Sequence, residues 1–312
     1  MNNLAGTYAD YRENQNLIFN LLEQSVDEVL PAKVLEQYGQ FAEVKTYAEN
    51  DRPVFNVRIS EASRRRARGF VTRAATAGRY ETFRLDGYSF TVNTAAYGAA
   101  VRLEFEEFLT NRVQMSDLYQ LVVEGLNEAV YREIANALKN LVNSVQPANK
   151  TSQGSFNEAE MDRLLATADA YGQSTIYCTF EFAATMLPAD AHWSDSMKDQ
   201  IWSTGYFTTY KGHRVIVLPQ SFEDISNTTK VIDPSTAYIL PVGAEKPVKI
   251  ALEGETHMRA LENQDDWSKD IQYYKKLGVG LFLVNPGICV YQNTSLTKEN
   301  KPITKDNKPI TP

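Results

Sequence analysis

Lysine is missing from every position between Lys45 and Lys139. That stretch therefore offers no side-chain amine for nucleophilic or cross-linking chemistry, because a guanidinium stays protonated at any relevant pH. Cysteine is nearly absent as well. Cys178 and Cys289 stand far apart, which excludes a disulfide framework and points to a reducing compartment. Histidine occurs three times, as His192, His213 and His257, and none of them belongs to an H-E-x-x-H pair. Neither cysteine belongs to a C-x-x-C, so no metal site is expected. No apolar run reaches the 18 or so residues that a transmembrane helix needs. The N-terminal MNNLAGTYADYRENQN has no basic stretch followed by an apolar one, so it does not read as a signal peptide.

These scarcities leave little room for an enzyme. Cys178 in TIYCTF and Cys289 in PGICVY lie in apolar, strand-like runs, where a thiol is a buried structural group. A Cys–His pair assembled in space is the alternative reading. The GVG at 278–280 runs into Leu-Phe-Leu and completes no dinucleotide fingerprint. Glu104, Glu106 and Glu107 read as a solvated or interface face, and Asp265 and Asp266 beside Trp267 read as a loop. The expectation is a protein without catalytic residues, metal or cofactor.

What the sequence does contain is enough apolar material for a sizeable core, 43% hydrophobic and 11% aromatic over 312 residues, which suits two domains or one elaborate one. Its charge is unevenly spread. The chain carries a net −7, yet residues 52–84 hold nine arginines against Glu61 and Glu81, a local +7. Arg64, Arg65, Arg66, Arg68, Arg73, Arg79 and Arg84 form the centre of this segment. Residues 1–51 are the reverse, with nine carboxylates against Arg12, Lys33 and Lys45. Clustered arginine suits phosphate contacts with nucleic acid. It also suits a solvated loop, or bidentate pairing with carboxylates on another copy of the chain. The acidic balance elsewhere repels phosphate and favours the last of these.

Periodicity organises the rest. Residues 10–38 read as a helix with Pro31 as a break, and residues 41–60 as extended chain. YETFRLDGYSFTV reads as a hairpin turning at Asp86-Gly87. The strongest helix signal is SDLYQLVVEGLNEAVYREIANALKNLV, residues 116–142, with a continuous apolar stripe and Ser116 as N-cap. At 1.5 Å per residue it spans about 40 Å. Past Pro147 the chain alternates between helix and strand. A helix reads at 156–171, a buried strand in STIYCTF, and short helices in EFAATMLPA and DSMKDQIWSTGYF. Strands follow in YKGHRVIVLP, STAYILPV and PVKIALEG, then two β-rich runs split at Asn285-Pro286-Gly287. The tail KENKPITKDNKPITP repeats a seven-residue unit, with Asp306 standing where the first copy has Glu299. Its polar, proline-bearing composition reads as disordered, with a docking peptide as the alternative.

The order of these parts resembles the major capsid proteins of tailed bacteriophages with the Hong Kong 97-type fold. YGAAVRLEFEEFLTNRVQMSDLYQLVVEGLNEAVYREIANAL is similar to the end of that family's extended loop running into its spine helix. TIYCTFEFAATMLPA and YFTTYKGHRVIVLP are similar to parts of its apical domain, and KKLGVGLFLVNPGICVY to its closing strand. The resemblance covers roughly residues 1–292. It implies an α+β fold with an N-terminal arm (1–51), an extended β-loop (52–92), and a peripheral domain with the spine helix (93–150). It further implies an apical domain (151–255), return strands of the peripheral domain (256–293) and a disordered tail (294–312). The implied function is a structural shell subunit forming hexamers and pentamers of an icosahedral head around double-stranded DNA. The implied setting is the virion, assembled in the host bacterial cytoplasm. The seven arginines then become intersubunit contacts on the neighbouring copy. Further implied partners are a separate scaffolding protein, a portal, a decoration protein and weakly contacted DNA, with no membrane. An encapsulin-like compartment and a nucleic-acid-binding module are the alternatives. The best-known relative joins a loop lysine to a neighbour's asparagine, a reaction the lysine-free loop here cannot perform.

Overall fold

The computed structural model describes residues 8–57, 88–103, 115–187, 195–241, 246, 248–262, 269–281 and 287–301. The elements in the first half are α1 (Tyr8–Tyr38), β1 (Ala42–Tyr47), β2 (Val54–Val57), β3 (Tyr88–Thr91), β4 (Ala95–Leu103) and α2 (Met115–Ser144). Next come β5 (Lys150–Gln153), α3 (Glu158–Asp169), β6 (Ser174–Cys178), α4 (Phe180–Thr185), α5 (Asp195–Thr204) and β7 (Thr209–Tyr210). The last are β8 (His213–Val217), β9 (Thr236–Pro241), β10 (Val248–Glu262), β11 (Lys269–Leu281) and β12 (Cys289–Asn293). They divide into two compact units, one within 1–58, 87–137 and 246–282, the other within 138–245 and 283–312.

The first unit is a four-stranded sheet, β1-β10-β11-β4, with helices on it. Strands β10 and β11 form a long antiparallel hairpin, β1 joins it in parallel along Val248–Glu253, and β4 closes the other side antiparallel to β11. Ile18, Leu22, Val26, Leu30, Val34 and Tyr38 recur every fourth residue and are all buried, so α1 sets one apolar face on the sheet. The expected break at Pro31 does not occur, and α1 runs through it. An interior proline costs about 3 kcal/mol. Leu30, Val34 and Tyr38, buried on both sides of it, together recover more than that at about 1.5–3 kcal/mol per large apolar side chain. In α2 most of the apolar stripe is buried, including Val122, Leu126, Val130, Ile134, Leu138 and Leu141, while Leu121 and Gly125 are exposed and the helix begins one residue earlier than Ser116. Tyr131 stacks on Tyr38 at 6.3 Å, and Asn127 donates to Gln37 at 3.1 Å, fixing α2 to the end of α1. Gly98 lets β4 lie close to β11, because a Cβ there would collide with the Tyr273 carbonyl.

The second unit is a six-stranded mixed sheet, β5-β12-β9-β6-β8-β7. Its core gathers Met161, Leu164 and Leu165 of α3 with Ile176, Cys178, Phe182, Ile239, Cys289 and Tyr291. Asn157 caps α3 by accepting from Ala159 N–H at 3.0 Å, and Thr179 caps α4 by accepting from Phe182 N–H at 3.4 Å. Lys211 and Gly212, at φ +48° and +88°, make the two-residue turn between β7 and β8.

Three sequence expectations need correcting. Residues 248–253 pair with β1 in the first unit, so the boundary read at 255 falls earlier. Strand β12, read as a return strand of the peripheral domain, lies between β5 and β9 in the second unit. The tail read as disordered from 294 is docked as far as Lys301: Thr294 N–H donates to Gln153 O at 2.8 Å and Leu296 is buried. Leu296 gives this otherwise polar segment an apolar anchor. Strand β3 is the second arm of the hairpin read around Asp86-Gly87, but its described partner is β2, and residues 80–87 lie outside the described residues.

Candidate assembly interface

Arg64, Arg65, Arg66, Arg68, Arg73, Arg79 and Arg84 lie outside the described residues, as do Glu104, Glu106, Glu107, Asp265, Asp266 and His192. What is described is the base from which the arginine segment departs. Strands β2 and β3 run antiparallel, with Val54 opposite Thr91 and Val57 opposite Tyr88. The chain thus leaves and returns at one place. Phe55, Val92 and Ala251 form a small buried core there, with Tyr47 and Phe90 against it. Tyr47 meets Phe55 edge-on at 5.9 Å, and its hydroxyl donates to Val54 O at 2.9 Å.

Beneath Phe55 lies a charged cluster. Glu43 pairs with Lys45 at 2.7 Å and with the buried Lys249. The two ammonium groups sit 4.8 and 5.7 Å from the Phe55 ring centroid, within cation–π range. Burial pushes the Glu43 carboxyl up, but hydrogen bonds from Lys249 and Lys45 outweigh it and hold the group below its ordinary value. Glu253 accepts from the Thr94 hydroxyl, and this bond, against partial desolvation and with help from Lys276, lowers its carboxyl too.

A second network fixes α1. The β10–β11 register shifts between Glu253 and His257, and Gly254 there has φ +68°. Such a bulge leaves backbone donors without ladder partners. Asp27 fills this gap by accepting from Thr256 N–H at 3.0 Å, the Thr256 hydroxyl at 2.6 Å and Lys275 Nζ at 2.5 Å. Glu23 accepts from Met258 N–H at 2.5 Å. Three carboxylates of the acidic arm, Glu23, Asp27 and Glu43, are therefore engaged inside the subunit. Glu13, Glu28, Glu36 and Asp51 face solvent. Leu17, Glu28 and Leu35 share the side of α1 opposite its buried face, and both leucines are exposed.

The second unit also exposes large apolar groups. Trp202 on α5 is 90% exposed and Ile225 is fully exposed. Phe180, about half exposed, meets Tyr206 edge-on at 6.2 Å. Large exposed aromatics mark contact surfaces.

One arrangement mimics a catalytic triad. Ser174 Oγ lies 3.0 Å from His213 Nδ1, and His213 Nε2 lies 3.5 Å from Asp169 Oδ2. The other Asp169 oxygen accepts from Ser174 N–H at 3.0 Å. Ser174 is buried, so no substrate reaches its hydroxyl, and the cluster ties the end of α3 to β6 and β8. Sequence reading missed it because its members are 39 residues apart at the Ser–His step. Cys178 and Cys289 are free and buried in one core, where burial pushes both thiols up to about 12. Among the described residues no cluster of histidine, cysteine and carboxylates could hold a metal ion, and no helix is long and apolar enough to cross a membrane.

A family model described as "SPbeta prophage-derived putative capsid protein YonB" matches residues 1–284. Among solved structures, the head of Helicobacter pylori bacteriophage KHP40 matches with a TM-score of 0.52 at 13% identity, over 82% of this chain and 90% of that one. The capsid of cyanophage P-SCSP1u matches at 0.51 and 10% identity, over 81% and 85%. The capsid of a native GTA particle matches at 0.50 and 13% identity, over 82% and 89%. No curated protein matches the chain in sequence. At these identities the structural likeness establishes the fold, which is the Hong Kong 97-like one expected from the order of elements.

Proposed function

The chain belongs to the capsid protein family whose model spans residues 1–284, and from that membership we propose that it is the major capsid protein of a phage or prophage particle. It acts as a structural shell subunit rather than an enzyme. In this reading copies join as hexamers and pentamers into an icosahedral head around double-stranded DNA, assembled in the bacterial cytoplasm. A separate scaffolding protein guides assembly, a portal occupies one vertex, and a decoration protein adds to the outside.

The family match carries this reading, and the geometry at the foot of the arginine segment supports its contact scheme. Residues 52–92 serve as the extended loop, with β2 and β3 as its paired base. From that base Arg64, Arg65, Arg66, Arg68, Arg73, Arg79 and Arg84 reach the acidic surface of the next copy. The solvent-facing Glu13, Glu28, Glu36 and Asp51 supply acceptors. A single exposed ion pair contributes only about 0–1 kcal/mol. Repeated around a ring, such pairs set partner choice and register more than affinity. A loop-to-neighbour contact is heterologous, so it closes into rings.

Replacing Arg64, Arg65, Arg66 and Arg68 together by Glu tests the scheme. The subunit should keep its circular dichroism spectrum and lose its shells in electron microscopy. Shells of normal size and yield from that variant would refute the role given to these arginines. Absence of any closed shell from the unaltered protein with its scaffold would refute the capsid reading itself.

A further inference from the structure

The C-terminal repeat enters the described residues with its first copy. Its first copy, Lys298-Glu299-Asn300-Lys301, lies as a third strand along a small hairpin of the second unit. In that hairpin Phe222 pairs with Lys230, Glu223 N–H donates to Thr229 O at 2.8 Å, and Val231 N–H donates to Ser221 O at 3.0 Å. Asp224 fixes the turn by accepting from Thr229 N–H at 2.8 Å and from the Thr228 hydroxyl at 2.6 Å. The Lys230 side chain anchors the hairpin to Glu181 at 3.0 Å.

The outer edge of residues 228–230 receives the tail. Lys230 N–H donates to Lys298 O at 2.9 Å, and Asn300 N–H donates to Thr228 O at 2.8 Å, so Thr229 faces Glu299. Two side chains add specificity: Asn300 Nδ2 donates to Asn227 O at 3.0 Å, and Lys298 Nζ reaches Glu223 at 3.4 Å. Glu299 turns to Lys301 of its own segment.

The second copy, Lys305-Asp306-Asn307-Lys308, keeps every residue type that makes these contacts. Its one change, Asp306 in the place of Glu299, falls on a side chain that pairs within the peptide, and aspartate preserves the charge. One chain therefore carries two equivalent peptides, and the described residues show one edge that receives such a peptide.

We propose that the 228–230 edge is a β-addition site for this four-residue motif, and that residues 305–308 occupy the same edge on a second copy of the chain, tying neighbours by an exchanged tail. The proposal rests on the shell reading for its supply of closely held neighbours. Seven residues of extended chain reach about 23–25 Å. Exchange within one chain replaces a peptide by its equal and must also close a seven-residue loop. Delivery to a neighbour likewise displaces that copy's own Lys298–Lys301, but it closes no such loop and proceeds at the effective concentration set by the tether.

Disulfide trapping in the full-length protein tests this. Thr229 and Glu299 form a non-hydrogen-bonded antiparallel pair, for which the Cα separation is about 4.5 Å, inside the disulfide range. Native Cys178 and Cys289 are buried and do not interfere. Thr229→Cys with Glu299→Cys should close within one chain and stay monomeric on a non-reducing denaturing gel. Thr229→Cys with Asp306→Cys should give reductant-sensitive dimers and higher species. Chains bearing only Thr229→Cys, mixed with chains bearing only Asp306→Cys, should give the heterodimer. Adding Asn307→Ala should cut that trapping several-fold. If the Thr229/Asp306 pair stays monomeric, with free thiols or with an intrachain bond, the proposal is overturned. Microscopy of the same chains co-expressed with the scaffolding protein, beside the unaltered chain, reports shell formation separately: shells without trapped dimers overturn the exchange alone, and trapped dimers with no shell even from the unaltered chain overturn the capsid reading alone.

Discussion

Removing the Asp27 carboxylate should be the most damaging single change in the first unit. Asp27→Ala strips Lys275 of its 2.5 Å partner and leaves its ammonium with only the Gly254 carbonyl at 3.1 Å. It also leaves the Thr256 N–H and hydroxyl without their acceptor. The Lys275 side chain is only 3% exposed, so water cannot take over. Breaking a buried pair from one side costs about 3–5 kcal/mol. Lys275→Met removes the buried charge itself. Asp27 then keeps two donors from Thr256 and some solvent contact, and the cost should be about 1 kcal/mol or less. In the double variant only the orphaned Thr256 groups remain, at about 1–3 kcal/mol. The double variant should therefore be more stable than Asp27→Ala alone, with a coupling of about 2 kcal/mol. Native-state hydrogen exchange on the unassembled subunit reads this locally, through the opening free energies of β10 and β11 amides. Equal losses from the two single variants, or strictly additive losses, would show that the network does not work as a charge pair.

Mature particles heated in detergent should run as one band near 35.2 kDa, because no amine lies between Lys45 and Lys139 to form an isopeptide. A reductant-resistant ladder would contradict this. Cys178 and Cys289, with thiols raised to about 12 by burial, stay protonated at pH 8, and thiolate forms only as pH climbs through that value. A thiol reagent should find almost no reactive cysteine in the native protein and two in denaturant, and rapid native labelling would be inconsistent with a buried pair. Expressed alone, the chain should give incomplete or polydisperse assemblies that become uniform with a scaffolding protein. Uniform heads from the lone chain would remove the need for that partner.

How far the sequence could be read depended on whether a signal was local. The α2 helix, the all-buried STIYC strand and the strand in YKGHRVIVLP are set by residues close together, and each appears where it was read. Long-range choices were not legible. Lysine normally signals an exposed position, yet Lys230, Lys249 and Lys275 are buried, each beside a carboxylate distant in sequence. The strand read in PVKIALEG continues to Glu262 as β10, across a bulge that the sequence did not announce. Pro31 reads locally as a stop, and the packing that overrides it belongs to a strand from the far end of the chain. The arginine segment was conspicuous by composition, but its acidic counterpart was overcounted, since Glu23, Asp27 and Glu43 turned out to be occupied inside the subunit.

The pairing of β1 with β10 has a consequence for synthesis. Glu43 and Lys249 are 206 positions apart, and β4 likewise waits for β11 before its ladder can form. Contacts so distant along the chain form late and slowly. A ribosome must therefore translate past Leu281 before the first unit's sheet can close. Until then the foot of the arginine segment lacks Ala251 beneath Phe55 and has no floor to stand on. A half-made chain thus lacks the small core on which β2 and β3 rest. Connectivity of this kind ties closure of the first unit's sheet to the synthesis of β10 and β11.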